Sequence, residues 1–159
     1  MTIKVGDKIP EGTLTQMTEK GPAPISTSEL FGGKKVVLFA VPGAFTPTCS
    51  AKHLPGFVQN ADALKAKGAD VIACMAVNDV FVMNAWCKDQ DVGDKILMLA
   101  DGNGDFAKAL GVELDAKGFG LGTRSKRYAM LVDNGVVQQF NLDEKGFEKS
   151  KAEVILERM

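Results

Sequence analysis

KVVLFAVPGAFTPTC, residues 35–49, is the stretch from which the fold can be read. Lys35 to Val41 is β-branched and apolar on both faces, as a strand is when both sides of its sheet are covered. Pro42-Gly43 stops it. Thr46 suits a helix N-cap and Pro47 the first helical position, where a missing N–H costs nothing. A buried strand that feeds a helix through a short turn is the unit of an α/β fold. Counted from Thr46 as N-cap, Cys49 is the third residue of the helix.

The pattern repeats outward. Pro55 is expected to kink or break the helix after Cys49. Phe57, Ala61 and Leu64 then share a helical face, with Gly68 as a stop. Asp70–Val77 and Lys95–Ala100 are two more strands apolar on both faces, separated by a helix that Asn78-Asp79 caps and that runs to Lys88. A short helix covers Asp105–Leu110 and ends at Gly111; Gly118–Gly122 is a glycine-rich loop. Arg127–Val132 and Val136–Phe140 form a hairpin around Asp133-Asn134-Gly135. The last helix puts Ala152, Ile155, Leu156 and Met159 on one face. Turn residues at Pro10-Glu11-Gly12 and Gly21-Pro22 suit an N-terminal hairpin. The expected architecture is a mainly parallel sheet with an antiparallel closing hairpin. This is a thioredoxin-like α/β fold: a mixed central sheet flanked by helices, with additional N-terminal strands.

The 159 residues fit one domain, 1–159, large enough for its own core. A net charge of -1 offers no surplus for nucleic acid or acidic lipid. The longest apolar run, Val36–Val41, is far below the ~20 residues of a membrane helix. MTIKVGDKIPEG carries no apolar leader, so a cytoplasmic location is expected, or the matrix of an organelle if a targeting segment has been removed. Three cysteines and one histidine without a CxxC pair argue against a disulfide framework and against zinc, so neither metal nor cofactor is expected.

In a first turn, free backbone N–H groups and the helix dipole favour a thiolate over a thiol. Cys49 therefore reads as a nucleophile, or else as a small core residue beside an ordinary helix start. Position alone leaves both open.

The run PGAFTPTCSAKHLPGF, residues 42–57, resembles the active-site signature of the peroxiredoxins, whose Pro-x-x-x-Thr/Ser-x-x-Cys pattern is met by Pro42, Thr46 and Cys49. The flanks of that run, VNDVFVMNAW (77–86) and RYAMLV (127–132) resemble the peroxiredoxin-5, or type II, subfamily. The resemblance implies a thiol peroxidase in which Cys49 attacks a hydroperoxide and becomes a sulfenic acid. It implies that Thr46 orients the peroxide, Pro42 shields the sulfur and Arg127 supplies positive charge. Arg124 and Lys126 are weaker candidates for that charge. His53, four residues after Cys49, is expected to be structural or to line the pocket rather than to act as a base.

Plant type II members carry a second cysteine 25 positions after the first, and Cys74 stands there (74 − 49). Its strand looks buried, so an inert core residue is the favoured reading and a resolving role the lesser one. No family role attaches to Cys87. An external thiol is therefore expected to regenerate Cys49: glutathione with glutaredoxin, or thioredoxin. A homodimer is also implied, with Phe45, Phe119 and Leu121 at the interface or pocket rim. Two rival functions remain. A thiol–disulfide oxidoreductase lacks its second cysteine, since Ser50-Ala51-Lys52 follows Cys49. A non-enzymatic binding or chaperone-like module predicts that Cys49→Ser leaves function intact.

Overall fold

The structure, a computed structural model, describes residues 2–159. Two strands, β1 (Thr13–Thr18) and β2 (Gly21–Ser26), form the N-terminal hairpin. Helix α1 (Thr27–Phe31) follows, opened by a capping box in which Ser26 accepts from the Glu29 N–H and Glu29 reaches back to the Ser26 N–H. Next come β3 (Lys35–Ala40), a π-turn at Cys49–His53 that runs into α2 (Leu54–Gln59), then α3 (Ala61–Ala66) and β4 (Val71–Ala76). Helix α4 (Val80–Asp89), β5 (Leu97–Ala100) and α5 (Asp105–Leu110) complete the central part. A small ribbon, β6 (Glu113–Asp115) with β7 (Thr123–Ser125), brackets the glycine-rich loop. The hairpin β8 (Arg127–Asp133) and β9 (Val136–Asp143) and helix α6 (Ala152–Glu157) end the chain.

The main sheet runs β2-β1-β5-β4-β3-β8-β9. Only the pairings β3–β4 and β4–β5 are parallel. The expectation of a mainly parallel sheet is therefore corrected. The N-terminal hairpin joins the edge of β5 antiparallel, through Thr15 opposite Ala100, so antiparallel hairpins flank the parallel strands on both sides. The mixed sheet itself is as expected.

Burial explains why β3 and β4 read as continuous apolar runs. Val37, Phe39, Val41, Cys74 and Ala76 face one core, which holds Trp86, Phe57 and Leu64. Val36, Leu38, Ala40, Ala73 and Met75 face the other, which holds Tyr128, Phe31 and Leu30. Each fully buried aliphatic or aromatic side chain contributes about 1.5–3 kcal/mol. Alternate residues thus anchor layers on opposite sides of one sheet.

Candidate active site

The site forms where β3 ends. Ala40 lies opposite Tyr128 of β8, so Arg127, the first residue of β8, stands beside the chain leaving β3. That chain turns sharply. Asn78 Oδ1 accepts from the Ala44 N–H at 2.9 Å. Phe45 adopts φ 65°, a left-handed conformation rare for a bulky residue. The Thr46 hydroxyl donates to the Gly43 carbonyl at 2.6 Å instead of accepting from helix amides. Thr46 still precedes the helix, and its carbonyl accepts from Ser50 N–H at 3.0 Å. The left-handed Phe45 folds Thr46 back onto Gly43, which is why the side chain turns away from the expected capping bond.

Cys49 opens the π-turn, in which the Leu54 N–H reaches the Cys49 carbonyl five residues back. Pro55 follows at once, within the first turn of α2. In α-helical register its ring would press on the carbonyl of Ala51. The wider turn moves that carbonyl aside, so the chain passes through Pro55 without breaking.

Arg127 is only 8% exposed. Its Nη2 donates to Cys49 Sγ at 3.1 Å, and its Nη1 lies 2.9 Å from His53 Nδ1. Among the described residues no carboxylate forms an ion pair with Arg127. A buried guanidinium without a carboxylate keeps its donors for the two side chains it touches, Cys49 and His53. His53 Nε2 lies 2.9 Å from the Ser150 carbonyl, which can only accept. Nε2 therefore carries the proton, and Nδ1 is the bare acceptor facing Arg127. Burial first, then the Arg127 charge, lowers the His53 pKa from 6.5 to about 3. The ring is neutral at physiological pH. Its neighbours are aromatic: Phe39 at 4.9 Å, Phe57 at 5.6 Å and Phe147 at 4.9 Å between ring centroids.

The expected residues separate clearly. Cys49, Arg127 and the loop Pro42–Thr46 come together. Arg124 turns elsewhere, donating to the Leu121 carbonyl at 2.9 Å and the Val77 carbonyl at 3.2 Å, so it ties the glycine-rich loop to the end of β4. Lys126 pairs with Glu144 at the surface. Cys74 is fully buried within β4, opposite Phe39. Burial, and then the neighbouring Cys49, push its thiol well above the usual range. Cys87 is half-buried with its Sγ 3.8 Å from the Gly93 carbonyl, and burial raises its pKa as well.

Sequence reasoning missed Asp143, Ser150 and Phe147. Asp143 ends β9, and Phe147 and Ser150 lie on the segment between β9 and α6, which has no periodicity to mark it. A cleft of about 690 Å³ opens over Arg127, lined by Pro42, Thr48, Pro55 and Phe147, with Lys52, Lys126, Lys145 and Lys151 among its charged residues. Cys49 itself is completely buried beneath. No group of three or more His, Cys, Asp or Glu side chains able to hold a metal occurs among the described residues.

The redoxin family model matches residues 4–156. The chain is 53% identical to the Arabidopsis thaliana protein named Peroxiredoxin-2E, chloroplastic, over 99% of this chain and 70% of that one. It is similar to the crystal structure of reduced Prx3 of Vibrio vulnificus in complex with hydrogen peroxide, with TM-score 0.95, 56% identity and 99% of each chain covered. It is also similar to peroxiredoxin 5 of Alvinella pompejana, with TM-score 0.86, 39% identity and 99% of each chain covered. One expectation falls with these matches. The cytoplasmic location is overturned, because the Arabidopsis relative and a rice relative at 52% identity are both named as chloroplastic.

Proposed function

The chain belongs to the redoxin family, as a peroxiredoxin of the peroxiredoxin-5 (type II) kind and hence a peroxidase, and from that premise we propose that Cys49 is the sulfur that attacks the hydroperoxide. The observation that carries this reading is the 3.1 Å contact from the buried Arg127 to Cys49 Sγ. The thiolate attacks the terminal oxygen of the peroxide. An S–O bond forms and the O–O bond breaks. The sulfur is oxidised to sulfenic acid, and the departing oxygen leaves as water or an alcohol once it gains a proton. The Arg127 fork faces the charge that shifts from sulfur to the leaving oxygen. The Thr46 proton is committed to Gly43, so its oxygen is left to accept from the peroxide O–H. Pro42, half-buried at the cleft, limits water at the sulfur.

An external thiol returns Cys49 to the reduced state: glutathione displaces water from the sulfenic acid to form a mixed disulfide, which glutaredoxin or a second glutathione clears. Thioredoxin is the alternative reductant. Two features support an external thiol. Cys74 is sealed inside the sheet and strongly disfavoured as a thiolate. The lysines around the cleft suit the carboxylates of glutathione. A thiol of that size reaches Cys49 only when the first turn of its helix opens.

A homodimer accompanies this reading. Phe45, Phe81 and Phe119 are 52%, 64% and 86% exposed. Asn78 ties the Phe45 loop to the start of α4, and Arg124 ties the Phe119 loop to the end of β4. The three rings therefore share one side of the molecule, which a second copy would cover.

Mass spectrometry after one equivalent of peroxide, with and without glutathione, tests the proposal. Expected is an oxidised Cys49 that converts to a glutathione adduct. A Cys49–Cys74 bridge refutes external resolution, and peroxide consumption by a Cys49→Ser variant refutes Cys49 as the nucleophile. Light scattering of Phe119→Ser against the unmodified chain tests the dimer, which this change should weaken.

A further inference from the structure

Arg127 presents one nitrogen to Cys49, and the opposite side of its fork is held by a neutral ring. His53 is completely buried, and its hydrogen-bond partners are Arg127 Nη1 on one side and the Ser150 carbonyl on the other. Ser150 is itself fixed. Asp143 accepts from Ser150 Oγ at 2.6 Å and from the N–H groups of Ser150, Lys149 and Glu148 at 2.9, 3.0 and 3.2 Å. Burial opposes ionisation of Asp143, but these four bonds outweigh it and hold the carboxyl below its usual 3.8. The segment drawn in by Asp143 also carries Phe147, whose ring lies 5.7 Å from the Arg127 Cζ and 4.9 Å from the His53 ring.

We propose that His53 is a positioning residue for the peroxidase reaction: its unprotonated Nδ1 aims the Arg127 fork at Cys49, and the Asp143-bound segment 143–150 locks the tautomer that leaves Nδ1 free. This inference rests on Cys49 being the reacting sulfur. A carboxylate in the place of His53 would compete with the thiolate for the guanidinium charge. A neutral acceptor fixes the direction of the guanidinium and leaves its charge for the sulfur and the leaving oxygen. The carbonyl of Ser150 is what forbids a proton on the wrong nitrogen, because a carbonyl offers no hydrogen to Nε2.

Two amide replacements separate positioning from packing. In His53→Asn the side-chain oxygen falls near the place of Nδ1 and can still accept from Arg127. In His53→Gln the terminal amide falls near Nε2 and can bond Ser150, but the acceptor facing Arg127 is lost. His53→Phe keeps a packed ring and has no acceptor. Two readouts are taken: the second-order rate of peroxide reduction in a single turnover, and the pH at which Cys49 is half-alkylated by iodoacetamide. His53→Gln and His53→Phe should each lose about tenfold in rate, the scale of one charge-assisted hydrogen bond, and alkylate at higher pH. His53→Asn should stay within about threefold of the unmodified chain. Equal losses in all three, or no loss in any, overturn the proposal.

Asp143→Asn guards against misfolding at position 53: Asp143 lies opposite Arg127 across the β8–β9 pairing, but its side-chain hydrogen bonds go to residues 148–150 and none to Cys49 or Arg127. It should lower the rate and shift alkylation the same way, and an unchanged alkylation profile sinks the role of the segment. Alkylation reads the sulfur without peroxide. If Cys49→Ser keeps its activity, the peroxidase assignment of Cys49 fails, whereas the alkylation profiles alone judge His53.

Discussion

One guanidinium serves two neighbours at Arg127. Its planar fork spans Cys49 Sγ at 3.1 Å and His53 Nδ1 at 2.9 Å. An ammonium is a point charge on a flexible stem and cannot hold both in one geometry. Arg127→Lys keeps the charge and loses the fork, so its peroxide rate should fall about a hundredfold, as when one preorganised donor is removed. Stopped-flow peroxide kinetics checks this, and a rate within threefold of the unmodified chain would show that charge alone suffices. Thr46 makes the complementary case. Its proton is spent on the Gly43 carbonyl, so only its oxygen lone pairs remain for the peroxide O–H in the proposed reaction. Thr46→Ser preserves that oxygen and should keep most of the rate. Thr46→Val matches the shape without the oxygen and should lose ten- to a hundredfold, about 1.4–3 kcal/mol of barrier. A loss in Thr46→Ser with the rate kept in Thr46→Val would mean that the methyl packing, not the oxygen, matters.

The turn between β3 and the π-turn is tight because of what surrounds Gly43. A Cβ there would lie 3.1 Å from Thr46 Cγ2 and 3.2 Å from Arg124 Nη1. Gly43→Ala should therefore leave the fold intact but displace Thr46, lowering the peroxide rate by about tenfold. Circular dichroism beside the kinetics separates the two effects, and a fully active Gly43→Ala would show that Thr46 has slack. At this scale the sequence was legible wherever burial left a period or a cap left a residue type. β3, β4, α5 and the 127–140 hairpin follow from apolar runs and from Gly111 and Asn134-Gly135. Helix α1 rests on the capping pair Ser26 and Glu29, but its five residues, Thr27–Phe31, are too few to show a helical period. The ribbon β6–β7 leaves no signal, since Glu113–Asp115 alternates in exposure without an apolar face. The π-turn is likewise invisible, because it depends on how Cys49, His53 and Pro55 settle around Arg127. Cys49, Thr46 and Arg127 could be named from the motif. Asp143 and Ser150 could not, because their role comes from a fold that brings residues 97 positions apart to one hydrogen bond.

Protonation of His53 concerns the whole molecule, because this ring joins the π-turn, β8 and the 143–150 segment. In the unfolded chain its imidazole titrates near 6.5, whereas in the fold burial and then Arg127 lower that to about 3. Between those values the unfolded state binds a proton that the folded state excludes, so acid favours unfolding. The stabilising contribution is complete above 6.5, declines as the pH falls, and is exhausted below about 3. One such site gives a limiting slope of about 1.4 kcal/mol per pH unit. Asp143 acts only further down: its carboxyl is held below 3.8, so its own contribution is lost only as the pH falls below that value. The window from pH 6 to 4.5 therefore isolates His53 from Asp143. Urea unfolding across that window should cost the unmodified chain about 2 kcal/mol more than His53→Asn, whose amide has no proton to gain. Parallel profiles for the two proteins would show that the ring charges without leaving its place. In that case the bond from Arg127 to Nδ1 could not be what keeps the guanidinium on Cys49.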